Sequence, residues 1–212
     1  MSESNQQRQS CYSAGIQAPW FHQSWPGRAS VVKILLHICC APCATAVVEN
    51  LRTDGYDITG YFYNPSIHPW KEFKRRMDTL KEWAPTIDLP VIYSEEYPLE
   101  DNIRMLLGSA NRCFSCFSDR MNTTAKLALE MGIEQFTTTL TVSPYQNQNL
   151  LIKAGEAASD IHGVQYLYRD YRNSYRRSIE LSRGLHMYRQ PYCGCVFSER
   201  DRYLKIKSPG QV

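Results

Sequence analysis

The chain has 212 residues, 43% of them apolar, with a formal net charge of +3; this is enough for one domain with a real core and excludes a disordered or membrane-embedded chain. No apolar run approaches the roughly 18–20 residues of a membrane helix, and the polar opening MSESNQQRQSCYSAGIQAPW lacks a signal's apolar stretch, so a cytoplasmic protein is expected. Eight cysteines are far short of the roughly 8–10% of a disulfide scaffold, and in a reducing compartment they read as metal ligands or redox groups.

Taken in chain order, residues 1–29 read as a loose N-terminal arm with little core content and one isolated cysteine, Cys11. Residues 30–207 read as a single domain, and 208–212 as a tail. Within the domain the apolar runs Val31–His37, Ile58–Tyr63, Pro90–Tyr93, Gln135–Leu140 and Val164–Tyr168 are expected to be buried strands. Helical patterns fall over Pro42–Asp54, Trp70–Ala84, Leu99–Leu107, Cys116–Met131, Asn149–His162 and Arg172–His186. Continuously apolar strands alternating with helices predict an α/β fold, a Rossmann-like domain with a mostly parallel five-stranded sheet covered on both faces. A mixed sheet with one antiparallel edge is the alternative. In either case ligands should collect at the carboxyl ends of the strands.

Seven cysteines fall into three groups. Cys39, Cys40 and Cys43 follow the first strand, with Pro42 suited to a helix start. Cys113 and Cys116 form a CxxC, with Arg112 beside it and Arg120 one helical turn beyond. Cys193-Gly194-Cys195 is a tight CxC turn. At a helix N-terminus the exposed N–H groups favour thiolate, the form that binds metal or attacks a disulfide. Three chemistries compete for these residues. A structural zinc site would use four thiolates and leave the others unexplained. A thioredoxin-like dithiol at Cys40 and Cys43 would leave the second CxxC and the CxC without a role. An iron–sulfur cluster on four thiolates, with the remaining cysteines for redox work, uses the most residues and is preferred.

The C-terminal part is basic. From Gln165 to Lys207 there are ten Lys/Arg against four Asp/Glu, leaving fourteen basic and seventeen acidic residues elsewhere. Arginines, among them Arg172, Arg176 and Arg177, interleave with tyrosines, a pattern suited to RNA phosphates and unpaired bases. A solvated helix with its tyrosines in the core is the plainer reading. No GxxxxGK[ST] or GxGxxG loop follows the first strand, so neither ATP nor NAD is expected there.

HICCAPC at 37–43, YFYNPSIHP at 61–69, RCFSCFSDR at 112–120, TTTLTVSPYQ at 137–146 and CGCVFS at 193–198 together resemble, in order, the cobalamin-independent epoxyqueuosine reductase family of the QueH type. Phe117 stands where that pattern has a tyrosine. The resemblance implies a sheet like that of the adenine nucleotide hydrolase-like (HUP) domains without their phosphate loop. It also implies the last step of queuosine synthesis, reduction of the epoxide of epoxyqueuosine at the wobble position of tRNAs with GUN anticodons (Asp, Asn, His, Tyr). A [4Fe-4S] cluster is implied on Cys39, Cys40, Cys113 and Cys116, with a redox-active disulfide pair at Cys193 and Cys195. Cys43 is then an alternative ligand or the holder of an additional iron. Arg112, Arg120, Arg172, Arg176, Arg177 and Tyr145 are the expected substrate or tRNA contacts. Asp119, His37, His68 and Tyr145 are candidate proton donors, and the electron donor is unidentified. The rivals are a zinc-stabilised tRNA-binding module and a thioredoxin-like dithiol oxidoreductase.

Overall fold

The computed structural model describes residues 31–204; the expected arm with Cys11 and the tail lie outside the described residues. Five strands, β1 (Val32–His37), β2 (Tyr56–Phe62), β3 (Val91–Tyr93), β4 (Gln135–Thr138) and β5 (Gln165–Tyr166), pair in the order β3-β2-β1-β4-β5. Every pairing is parallel, so the mixed-sheet alternative falls away. In β1, Ile34, Leu35 and Leu36 have no exposure at all. Ile34 and Leu36 enter one core with residues of α1 (Ala41–Thr53) and α2 (Trp70–Trp83), while Leu35 enters a second. That second core holds Met121 and Ala125 of α4 (Arg112–Glu130) and Leu151 and Ala154 of α5 (Gln148–His162). This two-sided burial is why the strand reads as a continuous apolar run. Helix α3 (Leu99–Gly108) connects β3 to α4, and α6 (Tyr175–Gly184) and α7 (Val196–Tyr203) follow β5.

The strand order places β1 between β2 and β4, with the chain running outward in both directions. The crevice between the carboxyl ends of β1 and β4 is therefore the topological switch point, where open α/β sheets take their ligands. It is occupied by the first cysteine group.

Several boundaries differ from expectation. The fourth strand stops at Thr138, because Thr138 Oγ1 accepts the Leu140 N–H at 3.1 Å and turns the chain into a 3-10 segment, Thr139–Val142. Helix α4 begins at Arg112 rather than Cys116: Asn111 Oδ1 accepts the Phe114 N–H at 3.0 Å, an N-cap the sequence reading missed. The stretch after β5 divides into a 3-10 turn, Arg172–Ser174, and α6. Helix α7 was not anticipated.

Two glycines are required by close approach. A Cβ on Gly60 would stand 2.8 Å from Ile38 Cδ1, so β2 can lie beside the loop that carries the cysteines. A Cβ on Gly155 would stand 2.1 Å from the Tyr166 ring, which packs flat against α5.

Candidate metal and thiol site

Cys39 and Cys40 leave β1 and are buried; Cys43 opens α1 and is half-buried. Their three sulfurs lie within 4.8 Å of one another, with Cys39 Sγ and Cys40 Sγ 3.8 Å apart. Thiolates on one tetrahedral ion at roughly 2.3 Å stand roughly 3.8 Å apart, so the donor set and its spacing fit a thiophilic metal. The loop is held from three sides. Thr139 Oγ1 accepts the Cys39 N–H at 3.1 Å and donates to Cys39 Sγ at 3.3 Å. Asn64 Nδ2 donates to the Ile38 carbonyl at 2.9 Å. Gln190 Nε2 donates to Cys40 Sγ at 3.0 Å and approaches Cys43 Sγ at 3.8 Å.

The three thiols are not equivalent. Hydrogen bonds shared with Cys40 and then Cys43, assisted by Thr139, hold Cys39 toward thiolate. Burial pushes Cys40 up, and hydrogen bonds to Cys39 and Cys40 push Cys43 up. Beneath them His37 has no exposure, and burial, then the charge of Arg120, lowers it to about 4. Its Nε2 is 3.0 Å from the Tyr63 carbonyl, which can only accept, so Nε2 carries the proton. Its Nδ1 then accepts from Thr138 Oγ1 at 2.8 Å. Both nitrogens of His37 are occupied in tying β1 to β4 and to the end of β2, a bracing role that does not suit a proton donor.

The second group lies at the start of α4. Cys113 is exposed and Cys116 half-buried; they and Arg120 share one helix face at spacings of three and four residues. Neither Cys113 nor Cys116 belongs to the close three-sulfur group. Desolvation of its sulfur, then Cys116 and Cys195, raises Cys113 although the residue keeps an exposed face, whereas burial raises Cys116 against the pull of Arg120. The third group is beside the second. Cys193 and Cys195 are free thiols in the structure. Desolvation of the sulfur, then the Cys195 and Cys116 thiols, push Cys193 up to about 12, although the residue keeps an exposed face. Gln146 Nε2 donates to Cys193 Sγ at 3.3 Å.

What fixes the CxC loop was missed in the sequence. Arg76 of α2 is 1% exposed and donates from Nη1 to the Cys193 carbonyl at 2.8 Å and from Nη2 to the Tyr192 carbonyl at 3.1 Å. Its Nε is 2.7 Å from Glu72 Oε1, and Glu72 Oε2 accepts from the Tyr188 hydroxyl at 2.6 Å. The NPSIHP segment supplies the rest. The His68 N–H donates to the Gly194 carbonyl at 2.9 Å, and His68 Nδ1 accepts the Val196 N–H at 3.4 Å. Gly194, at φ 153°, lies with its Cα hydrogens against Ile67, where a Cβ would be 3.1 Å from Ile67 Cγ1. His68 is thus part of the loop's clamp. The polar signal was present in the sequence, as Glu72 and Arg76 at helical spacing, but it reads as an ordinary surface ion pair until the fold buries it.

The expected tRNA contacts are spread over different environments. Arg172 pairs with Asp170, Arg176 with Glu180 at 3.2 Å, and Arg177 with Glu49 at 3.0 Å. Arg112 lies over the Phe197 ring, 4.6 Å from its centroid. Tyr145 is 68% exposed and meets Tyr175 edge-on. Arg120 is 2% exposed and so is no surface contact. Burial works against its charge, yet Cys116, Cys193 and Cys39, then Asp119, hold its pKa above the ordinary arginine value. Asp119 itself receives the Tyr63 hydroxyl at 3.3 Å on both oxygens, and burial raises its pKa. Arg183 and Arg189 have no carboxylate partner among the described residues. Arg189 helps line a cavity of about 70 Å³ that also reaches Cys43, Tyr175 and Gln190. A larger, apolar recess of about 520 Å³ lies at His68, Trp70, Tyr97 and Val196.

A family model described as epoxyqueuosine reductase QueH matches residues 34–201. A protein of that name from Dehalococcoides mccartyi is 33% identical over 178 residues, covering 84% of this chain and 98% of that protein. One from Streptococcus pyogenes is 34% identical over 195 residues, 86% of this chain and 76% of that protein. One from Thermotoga maritima is 32% identical over 182 residues, 81% and 93% respectively.

Proposed function

The chain belongs to the epoxyqueuosine reductase QueH family, and from that premise we propose that it reduces the epoxide of epoxyqueuosine at the wobble position of tRNAs with GUN anticodons to the alkene of queuosine. Membership makes it an oxidoreductase and sets aside a non-catalytic zinc module and a general dithiol oxidoreductase. The reaction consumes two electrons and two protons, breaks both epoxide C–O bonds and releases the oxygen as water. The observation that carries the reading is the close three-thiol group at the switch point, with the CxC loop fixed by the buried Arg76.

Cys39, Cys40, Cys113 and Cys116 are the proposed holders of a [4Fe-4S] cluster, with Cys43, whose sulfur lies within 4.8 Å of those of Cys39 and Cys40, as the ligand for an additional iron. When bound, such a centre supplies single electrons and Lewis acidity toward an oxygen atom. Cys193 and Cys195 supply the electron pair: two thiols become one disulfide, which an external reductant restores. Asp119, raised by burial and hydrogen-bonded to Tyr63, is the proposed proton source. Cys43, Gln190 and Arg189 line the same opening, which gives the tRNA a cationic approach to the thiols. A tRNA substrate implies a cytoplasmic protein; among the described residues no helix is long and apolar enough to cross a membrane.

The test is anaerobic purification, iron and sulfide analysis, and incubation with epoxyqueuosine-containing tRNA and dithionite. The expected outcome is queuosine in the nucleoside digest. A colourless, iron-free protein without turnover would sink the reading. Cys193→Ser should keep the cluster's visible absorption and lose turnover with a physiological reductant; loss of the absorption would make Cys193 a metal ligand instead.

A further inference from the structure

Arg120 poses a physical problem that family membership does not answer. It is 2% exposed, its Nε is buried without a hydrogen-bond partner, and among the described residues it forms no ion pair. The adjacent carboxylate, Asp119, is engaged by Tyr63. A buried cation without a counter-charge is strongly disfavoured. Besides Asp119, the groups that bear on its charge are sulfurs. Cys116 precedes it by one helical turn on α4, and Cys39 and Cys193 are the other thiols that bear on its charge. These come from all three cysteine groups, so the one guanidinium is common to the three.

We propose that Arg120 is the internal counter-ion of the thiol site, a positioning residue whose fixed positive charge balances the negative charge of metal-bound thiolates and does not contact tRNA phosphate. The assignment rests on the reading of the cysteine groups as a metal site. It accounts for the missing carboxylate: an acidic partner would neutralise the charge that the metal–thiolate assembly requires. It also explains why an arginine, which stays charged when buried, occupies the position where a lysine would lose its proton more readily.

A counter-ion makes opposite demands on the two forms of the protein. Without metal the guanidinium is a buried charge compensated only in part, by Asp119 and the thiols around it; with metal the bound thiolates compensate it fully. Arg120→Gln should therefore raise the melting temperature of the metal-free chain and lower that of the iron-loaded chain. It should also lower the midpoint potential of the loaded centre, because a reduced, more negative centre loses its cation. Arg120→Lys should restore the potential only in part, because a buried lysine gives up its proton more readily than the guanidinium. The binding of unmodified tRNA, measured in the same proteins, should be unchanged. A fall in melting temperature of equal size in both forms would reduce Arg120 to a packing residue and overturn the proposal, as would an unchanged potential. Weakened tRNA binding by Arg120→Gln would overturn it in favour of a phosphate contact. If the wild-type chain takes up no iron, the reading of the metal site fails; if the wild type loads iron and Arg120→Gln matches it in potential, only the counter-ion assignment fails.

Discussion

The guanidinium of Arg76 holds the backbone carbonyl of Cys193 at 2.8 Å from a position with 1% exposure. One buried residue of α2 thereby sets where the first sulfur of the CxC pair stands, while its Nε neutralises Glu72. Arg76→Ala should remove the clamp and leave a buried carboxylate unpaired, a loss of about 3–5 kcal/mol of stability. Arg76→Lys keeps the charge but not the planar fork. It should fold and alkylate faster at Cys193 than wild type. A denaturant titration and a timed thiol-labelling experiment check both; unchanged labelling in the Lys variant would mean the fork does not govern the loop.

The fold and the cysteine groups were legible in the sequence for one physical reason each. Ile34–Leu36 is apolar without interruption because both faces of β1 are covered, and thiols in three tight groups have few uses other than chemistry. The clamp was not legible, because Glu72 and Arg76 look like any surface pair four residues apart. Only the tertiary fold turns that pair inward to meet a loop more than a hundred residues away. The start of α4 was misplaced for a local reason: Asn111 caps the helix one turn before the apolar pattern becomes visible.

The Gly155–Tyr166 contact predicts a stability effect remote from the thiols. A methyl at Gly155 would have to enter the Tyr166 ring at 2.1 Å, so Gly155→Ala should destabilise the chain by about 1–3 kcal/mol through overpacking. Adding Tyr166→Leu should recover part of that loss, since the two changes share one contact. Thermal melts of the two single variants and the double variant measure the coupling. Strictly additive effects would mean that the ring moves aside at no cost.

The arginines should differ in their effect on tRNA. Arg189 lacks a carboxylate partner among the described residues and lines the opening to Cys43, whereas Arg177 is held by Glu49 through two nitrogens. Arg189→Ala should weaken tRNA binding and lower the slope of log affinity against log salt by about 1. Arg177→Ala should change the slope less, because that cation is already neutralised within the protein. Filter binding across a salt series distinguishes them; equal slopes for both variants would show that the Glu49 pair opens in the complex.

Gln190 joins the CxC segment to the first cysteine group by its side-chain N–H alone, at 3.0 Å from Cys40 Sγ. Donors to a metal-bound sulfur stabilise the reduced, more negative state and raise the potential. A neutral hydrogen bond contributes about 1 kcal/mol, which for a one-electron couple is on the order of tens of millivolts. Gln190→Leu should therefore lower the midpoint potential of the loaded protein by that order while leaving iron content intact. Gln190→Glu, similar in shape but an acceptor when ionised, should lower it further, because a carboxylate beside thiolate adds like-charge repulsion. Spectroscopic redox titration of the three proteins orders them as wild type, Leu variant and Glu variant from highest to lowest. The same order at high salt would show that the effect is local, since a contact this close between the buried Cys40 and the half-buried Gln190 is little screened by ions in solution. A potential unchanged in both variants would show that the amide is only a tether. In that case the substitutions would instead appear as faster labelling of Cys193, because the loop would have lost its attachment to Cys40.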